Sequence, residues 1–126
     1  DGQNKTTEFK ASGLGALKNY PIIVLINQGT ASAAEILAGA LRDNRGVKLV
    51  GEKTVGKGSV QELINLKNDS SIKVTVAKWL TPKKYSISES GLEPDYNVPM
   101  TEDDTAKGED PQLEKAVEIL ENILNK

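Results

Sequence analysis

The chain has 126 residues, 37% hydrophobic and 27% charged, the profile of one globular domain with one core. Sixteen basic against 18 acidic residues leave a net charge of -2, which makes no electrostatic case for nucleic acid or a membrane surface. The absence of Cys and His excludes disulfides, thiol nucleophiles, His-ligated metal sites and a Ser-His-Asp triad within the chain, so covalent catalysis would fall to Ser or Thr with Lys or a carboxylate as base.

In chain order, the sequence opens on Asp1, which is not a natural start, and shows no signal-peptide pattern; it reads as a piece of a longer protein. Residues 1–13 are polar and read as a loop or incomplete strand, and Gly13 to Asn19 as a short helix or turn. After Pro21, the run Ile22-Ile23-Val24-Leu25-Ile26 predicts a strand buried on both faces of a parallel sheet; it is too short to span a bilayer. Asn27, Gln28 and Gly29 break the run. A helix follows over about Ser32 to Asp43, with Ala33, Ile36, Leu37, Ala40 and Leu41 as its apolar stripe and Asn44 and Gly46 as its end.

Val47 to Val50 predicts a second strand, and Gly51 to Ser59 a glycine-rich loop. Strand–helix–strand in this order predicts a right-handed parallel crossover. Val60–Leu66 and Ile72–Leu80 flank Asn68-Asp69-Ser70 as a hairpin, the second arm alternating in a half-buried pattern. Residues 83–110, including the acidic run Glu102-Asp103-Asp104, read mostly as loop. Asp110 and Pro111 then start a final helix whose apolar face is Leu113, Ala116, Val117, Leu120, Ile123 and Leu124.

Two positions carry chemistry. Ser32 sits between a buried strand and a helix N-terminus, where free N–H groups and the helix dipole favour developing negative charge. The N–H of Ala33 is placed to meet an oxyanion there. Ser32-Ala33-Ala34-Glu35 also fits the S-x-x-E capping box, a purely structural alternative. Lys57 lies in Gly56-Lys57-Gly58, whose glycines permit close approach. A lysine base must be neutral, a form that burial away from carboxylates favours. Gln61, four residues on, can hold the amine without adding charge. The alternative for Lys57 is a solvated loop cation. A phosphate loop is excluded because Gly58 stands where Ser or Thr is required. The crossover should bring Ser32 and Lys57 to one sheet edge, their side chains within about 3.2 Å in an intact site.

Asn27 to Ile36, with Thr30-Ala31-Ser32-Ala33-Ala34-Glu35 at its centre, and Gly51 to Gln61, with Gly56-Lys57-Gly58, resemble the nucleophile and base segments of the carboxyl-terminal processing (tail-specific) proteases. Thr81-Pro82 and Gly91-Leu92-Glu93-Pro94-Asp95 are similar to two further landmarks of that family, and the resemblance runs from about residue 8 to 99. It implies an α/β fold of the ClpP/crotonase-like class, with a parallel βαβ core, a β-hairpin and a C-terminal helix. It implies a serine endopeptidase with Ser32 as nucleophile, Lys57 as base, Gln61 positioning that lysine and the Ala33 N–H in the oxyanion hole. Cofactors and metals are not part of this chemistry.

On the same resemblance, residues 1–126 are expected to be part of a peptidase domain. The PDZ domain and a second oxyanion segment would belong to the parent protein, and the piece alone is expected to be inactive. The implied partner is a protein or peptide with a C-terminal tail. The implied setting is extracytoplasmic, with any membrane attachment through an N-terminal anchor of the parent. An uncovered sheet edge further predicts a homo-oligomer. Competing readings are a non-catalytic binding module on the same fold, which would be expected to lose Ser or Lys, and a crotonase-type acyl-CoA enzyme, whose CoA site is not found.

Overall fold

The computed structural model describes residues 7–88 and 90–125. Strand β1 (Ile23–Ile26) leads through a tight turn into helix α1 (Ala33–Arg45) and back to strand β2 (Lys48–Gly51), which pairs with β1 in parallel from Ile23–Lys48 to Ile26–Gly51. This is a parallel strand–helix–strand crossover in the predicted order. Gly46 closes α1 in the left-handed conformation, its N–H returning to Arg42 O. Strand β5 (Tyr96–Asn97) adds a third parallel strand beside β2, giving the order β1-β2-β5. The sheet is thus assembled around the β2 backbone, with β1 at one edge.

The core lies between this sheet and α1. Val24, Ile26 and Leu49 point to one face and pack with Ile36, Ala38, Ile87 and Leu92. Val50, fully buried, points the other way, toward helix α3 (Pro111–Leu124), which contributes buried Ala116 and Ile119. Asp110 caps α3 by accepting the Leu113 N–H at 2.9 Å, and Pro111 takes the first turn, as predicted.

Four expectations are corrected. The buried face of α1 is Glu35, Ala38 and Gly39; of the predicted stripe Ile36 packs on the core and Ala40 and Leu41 are half-buried, while Ala33 is exposed and Leu37 is 62% exposed. The helix is rotated because the Glu35 carboxylate has its partners on the sheet side. Strand β1 is not buried on both faces: Leu25, opposite Val50 on the α3 side, is 42% exposed, since that helix covers the face only in part. The hairpin of β3 (Ser59–Asn65) and β4 (Ser71–Lys78) forms as predicted, but β4 is exposed except at Val74, because the two arms contact chiefly each other. The acidic run is not loop but the start of helix α2 (Glu102–Lys107), where carboxylates meet the positive end of the helix dipole and Thr101 and Asp104 form the cap. Its lack of apolar periodicity hid it.

The apolar face of α3 is only partly covered. Lys115 reaches the Tyr96 ring at 6.0 Å, so that flank faces β5. Leu113, Val117, Leu120 and Leu124 run along the opposite flank, and Leu113, Val117 and Leu124 are exposed.

One position tests the β1–β2 junction. Gly51 has φ 123°, and a Cβ there would sit 2.1 Å from the Ile26 carbonyl oxygen, which is also the acceptor for the Glu52 N–H. Gly51→Ala is expected to cost about 3 kcal/mol or more, lowering Tm by roughly 10 °C. Thermal unfolding checks this; a Tm within about 2 °C of the unsubstituted chain would contradict it.

Candidate active site

The turn after β1 is held by its own side chains. Asn27 Oδ1 accepts the Gly29 N–H at 2.9 Å, and Thr30 Oγ1 accepts the Asn27 N–H at 3.0 Å. This turn delivers Ser32 to the N-terminus of α1 with φ 56° and ψ -118°. A serine in that region is strained, and strain at a strand-to-helix turn is characteristic of residues held for function. The Ser32 hydroxyl makes no cap hydrogen bond, and the side chain is exposed. Only the Glu35 arm of the capping box is a full hydrogen bond: the Ser32 N–H donates to Glu35 Oε2 at 2.9 Å. Among the described residues no acceptor takes the Ala33 N–H.

Glu35 joins this turn to the glycine loop. Its carboxylate is completely buried. Oε1 accepts the Thr54 hydroxyl and the Gly56 N–H, the latter at 2.7 Å, and Oε2 accepts the Lys57 N–H at 2.9 Å beside that of Ser32. The backbone nitrogens of Ser32 and Lys57 therefore share one oxygen, and lie within twice that distance of each other. Burial alone would raise the Glu35 pKa. The hydrogen bonds from Thr54, Gly56, Lys57 and Ser32 outweigh it and hold the carboxyl below its ordinary 4.5.

A second layer fixes the loop. The Val55 N–H donates to Thr30 O at 3.0 Å. Thr54 Oγ1, while donating to Glu35, accepts the Leu92 N–H at 2.7 Å, and the Thr54 N–H donates to Leu92 O at 3.1 Å. Asp95 accepts the Leu49 N–H at 2.9 Å and pairs with Lys48 at 3.1 Å. The Gly91–Asp95 segment thus carries structure: it buries Leu92 and ties the loop to β2. Thr81, buried at the other motif, contacts Gly39 of α1, and Asp43 accepts the Lys83 N–H at 2.9 Å. An open cleft of about 740 Å³ begins at Thr54 and Val55 and extends past Gln28, Glu52 and Asn97 at the C-terminal ends of the parallel strands.

Of the residues singled out from sequence, Ser32, Ala33 and Lys57 come together at backbone level. The Lys57 side chain is exposed, and it makes no hydrogen bond with the Ser32 hydroxyl. Gln61 lies on β3 beyond an irregularity at Val60–Gln61, exposed and opposite Thr75, with no side-chain hydrogen bond to Lys57. The roles of Glu35 and Thr54 escaped the sequence reading. The S-x-x-E spacing was the available signal, but it equally describes an ordinary cap.

Residues 1–98 match the family model described as peptidase family S41. A carboxyl-terminal-processing protease of Synechocystis sp. is 51% identical over 96 residues, covering 76% of this chain and 22% of that protein. The chloroplastic carboxyl-terminal-processing peptidase 3 of Arabidopsis thaliana is 43% identical over 95 residues, 75% of this chain and 18% of its own length. A solved photosystem II D1 C-terminal processing protease superposes with a TM-score of 0.56 and 45% identity over 62% of this chain and 20% of that one. The tricorn protease, at 22% identity and a TM-score of 0.70 over 82% of this chain and 10% of its own, shows likeness of fold. The chain spans about a fifth of the length of the curated relatives it matches.

Glu35→Gln isolates the anchor. All four partners are donors, so an amide NH₂ in place of either oxygen faces two of them and loses both bonds. The loss is expected to be roughly 3 kcal/mol at neutral pH by chemical denaturation. A carboxyl with a lowered folded pKa stabilises above its ordinary 4.5, and this contribution fades as pH falls through the folded value. The acid-side fall in stability should therefore be shallower in Glu35→Gln; equal slopes and equal stability would contradict the anchor.

Proposed function

The chain belongs to peptidase family S41, and on that premise we propose that it is part of the catalytic domain of a serine endopeptidase that cleaves proteins near their C-terminal tails through a Ser–Lys dyad. The observation that carries the reading is the single Glu35 oxygen that holds the backbones of Ser32 and Lys57, while Ser32 is strained, exposed and without a cap bond. A serine serving only as a cap would spend its hydroxyl on the helix.

In the proposed reaction Ser32 Oγ attacks the scissile carbonyl carbon and gives its proton to the neutral Lys57 amine. The Ala33 N–H, free of acceptors here, stabilises the oxyanion. Collapse breaks the C–N bond, and the Lys57 ammonium protonates the departing amine. Water then attacks the acyl-Ser32 ester with Lys57 again taking the proton; the bond from the acyl carbon to Ser32 Oγ breaks, the Lys57 ammonium returns that proton to Ser32 Oγ, and the product leaves with a new C-terminal carboxylate. Gln61 would position the lysine once the hairpin closes toward it. The activity is proposed for a longer protein that supplies a second oxyanion donor and a tail-binding PDZ domain, the 126 residues alone being inactive. We place it outside the cytoplasm, with any membrane attachment through an N-terminal anchor; the chloroplastic relatives support an extracytoplasmic setting. Among the described residues no helix is long and apolar enough to cross a membrane.

Self-association is part of the same proposal. Among the described residues the outer edge of β1 is unpaired and carries neither charge nor proline, and helix α3, which packs on β1, exposes an apolar stripe. Sedimentation velocity at high protein concentration should show a dimer or larger species that Leu25→Lys weakens; a monomer at every concentration contradicts this.

In the full-length parent, Ser32→Ala and Lys57→Ala should each abolish peptide hydrolysis, and the double variant should be no worse, because the pair acts as a unit. Lys57→Arg should also be inactive, since a guanidinium does not give up its proton at usable pH. An active Lys57→Arg enzyme would remove Lys57 from the role of base; an active Ser32→Ala enzyme would leave the non-catalytic module as the better reading.

A further inference from the structure

Ser88 holds a buried hydroxyl with no hydrogen-bond partner among the described residues. Such a group destabilises the protein that keeps it, and calls for a reason. Its position supplies one. Ser88 packs against Gly58, the residue that follows Lys57: a Cβ on Gly58 would sit 2.9 Å from Ser88 Oγ and 2.5 Å from its backbone nitrogen. Gly58 is pinned there, because its carbonyl accepts the Trp79 N–H at 2.7 Å while Glu35 holds the Lys57 N–H on the other side. The orphan hydroxyl thus lies beside a fixed stretch of backbone from which the Lys57 side chain, exposed and without a side-chain hydrogen bond or ion pair among the described residues, springs.

A neutral lysine amine has two N–H groups and one lone pair. It is a competent base toward Ser32 only when the lone pair points at that hydroxyl, and that requires acceptors for the N–H groups. Gln61, on the exposed face of β3, makes no such contact here. We propose that Ser88 is a positioning residue for Lys57: its Oγ accepts an N–H of the lysine amine and so turns the lone pair toward Ser32. Ser88 keeps its own proton throughout and touches no reacting atom. The inference rests on the Ser–Lys reading above and adds a fourth polar side chain to Ser32, Lys57 and Gln61.

The test is made in the full-length parent with Ser88→Ala, Ser88→Thr and Ser32→Ala. Removing an unpartnered buried hydroxyl should leave Tm unchanged or raised. In Ser88→Ala, kcat should nevertheless fall by about tenfold or more, with KM within about twofold, and Ser88→Thr, which restores the hydroxyl, should recover most of the rate. A Ser88→Ala enzyme with kcat within twofold of the unsubstituted parent overturns the proposal. So does a loss of rate matched by a fall in Tm, which would mark a merely structural residue. An inactive Ser32→Ala beside a fully active Ser88→Ala refutes the role of Ser88 alone; an active Ser32→Ala refutes the dyad and this inference with it.

Discussion

A carboxylate that leaves water must find donors for its lone pairs or give up its charge. Glu35 finds four, and they come from three places: the start of its own helix, the Thr54 hydroxyl, and the Gly56-Lys57 backbone. That requirement sets the rotation of α1. It turns a charged side chain inward where an amphipathic helix would place Leu37, and leaves Leu37 in solvent. It also sets the distance between two loops that are separated in sequence by a whole crossover. The strained backbone of Ser32 persists because its N–H is held by the same group, so local strain is balanced by a bond made in the interior.

The rest of the scaffold extends this anchor. Thr54 passes the connection from Glu35 to Leu92, and Leu92 is among the fully buried side chains of the core. Asp95 carries it to β2 through Leu49 and Lys48. Glu35 is therefore linked to the parallel sheet by hydrogen bonds to Leu92, the short backbone segment from Leu92 to Asp95, and hydrogen bonds from Asp95 to β2. The hairpin stands apart from that linkage, joined to it at Gly58 and Trp79. Its exposed arms and the exposed stripe of α3 leave apolar surface uncovered, as do Phe9, Leu14 and Leu17 ahead of β1.

Most elements were legible because they follow from local chemistry. The β-branched run at 22–26, the Gly46 stop, the Asn68-Asp69 turn and the Asp110-Pro111 start each have a short-range cause, and each lies where expected. Elements set by long-range partners were not legible. Strand β5 exists because Asp95 N–H and Val98 N–H meet carbonyls of Leu49 and Gly51, which nothing within residues 95–98 announces. The inward face of α1 was misjudged because periodicity treats Glu as a surface residue, and only the fold supplies its donors. At the site, motif resemblance singles out Ser32 and Lys57, whose backbones the structure brings together, while Glu35, the group joining them, is legible only as a capping residue. Gln61 was placed beside Lys57 by sequence separation, whereas the strand geometry after Gly58 carries it outward.

One buried carboxylate fastens the Ser32 turn to the Lys57 loop. The most direct measurement is a pH titration of the backbone amide resonances of Ser32, Gly56 and Lys57, followed by NMR from neutral pH into the acid range. All three protons point at the same carboxyl group, so the account predicts that they shift together, in one step centred below 4.5. Three independent curves, or a common midpoint at or above 4.5, would contradict it.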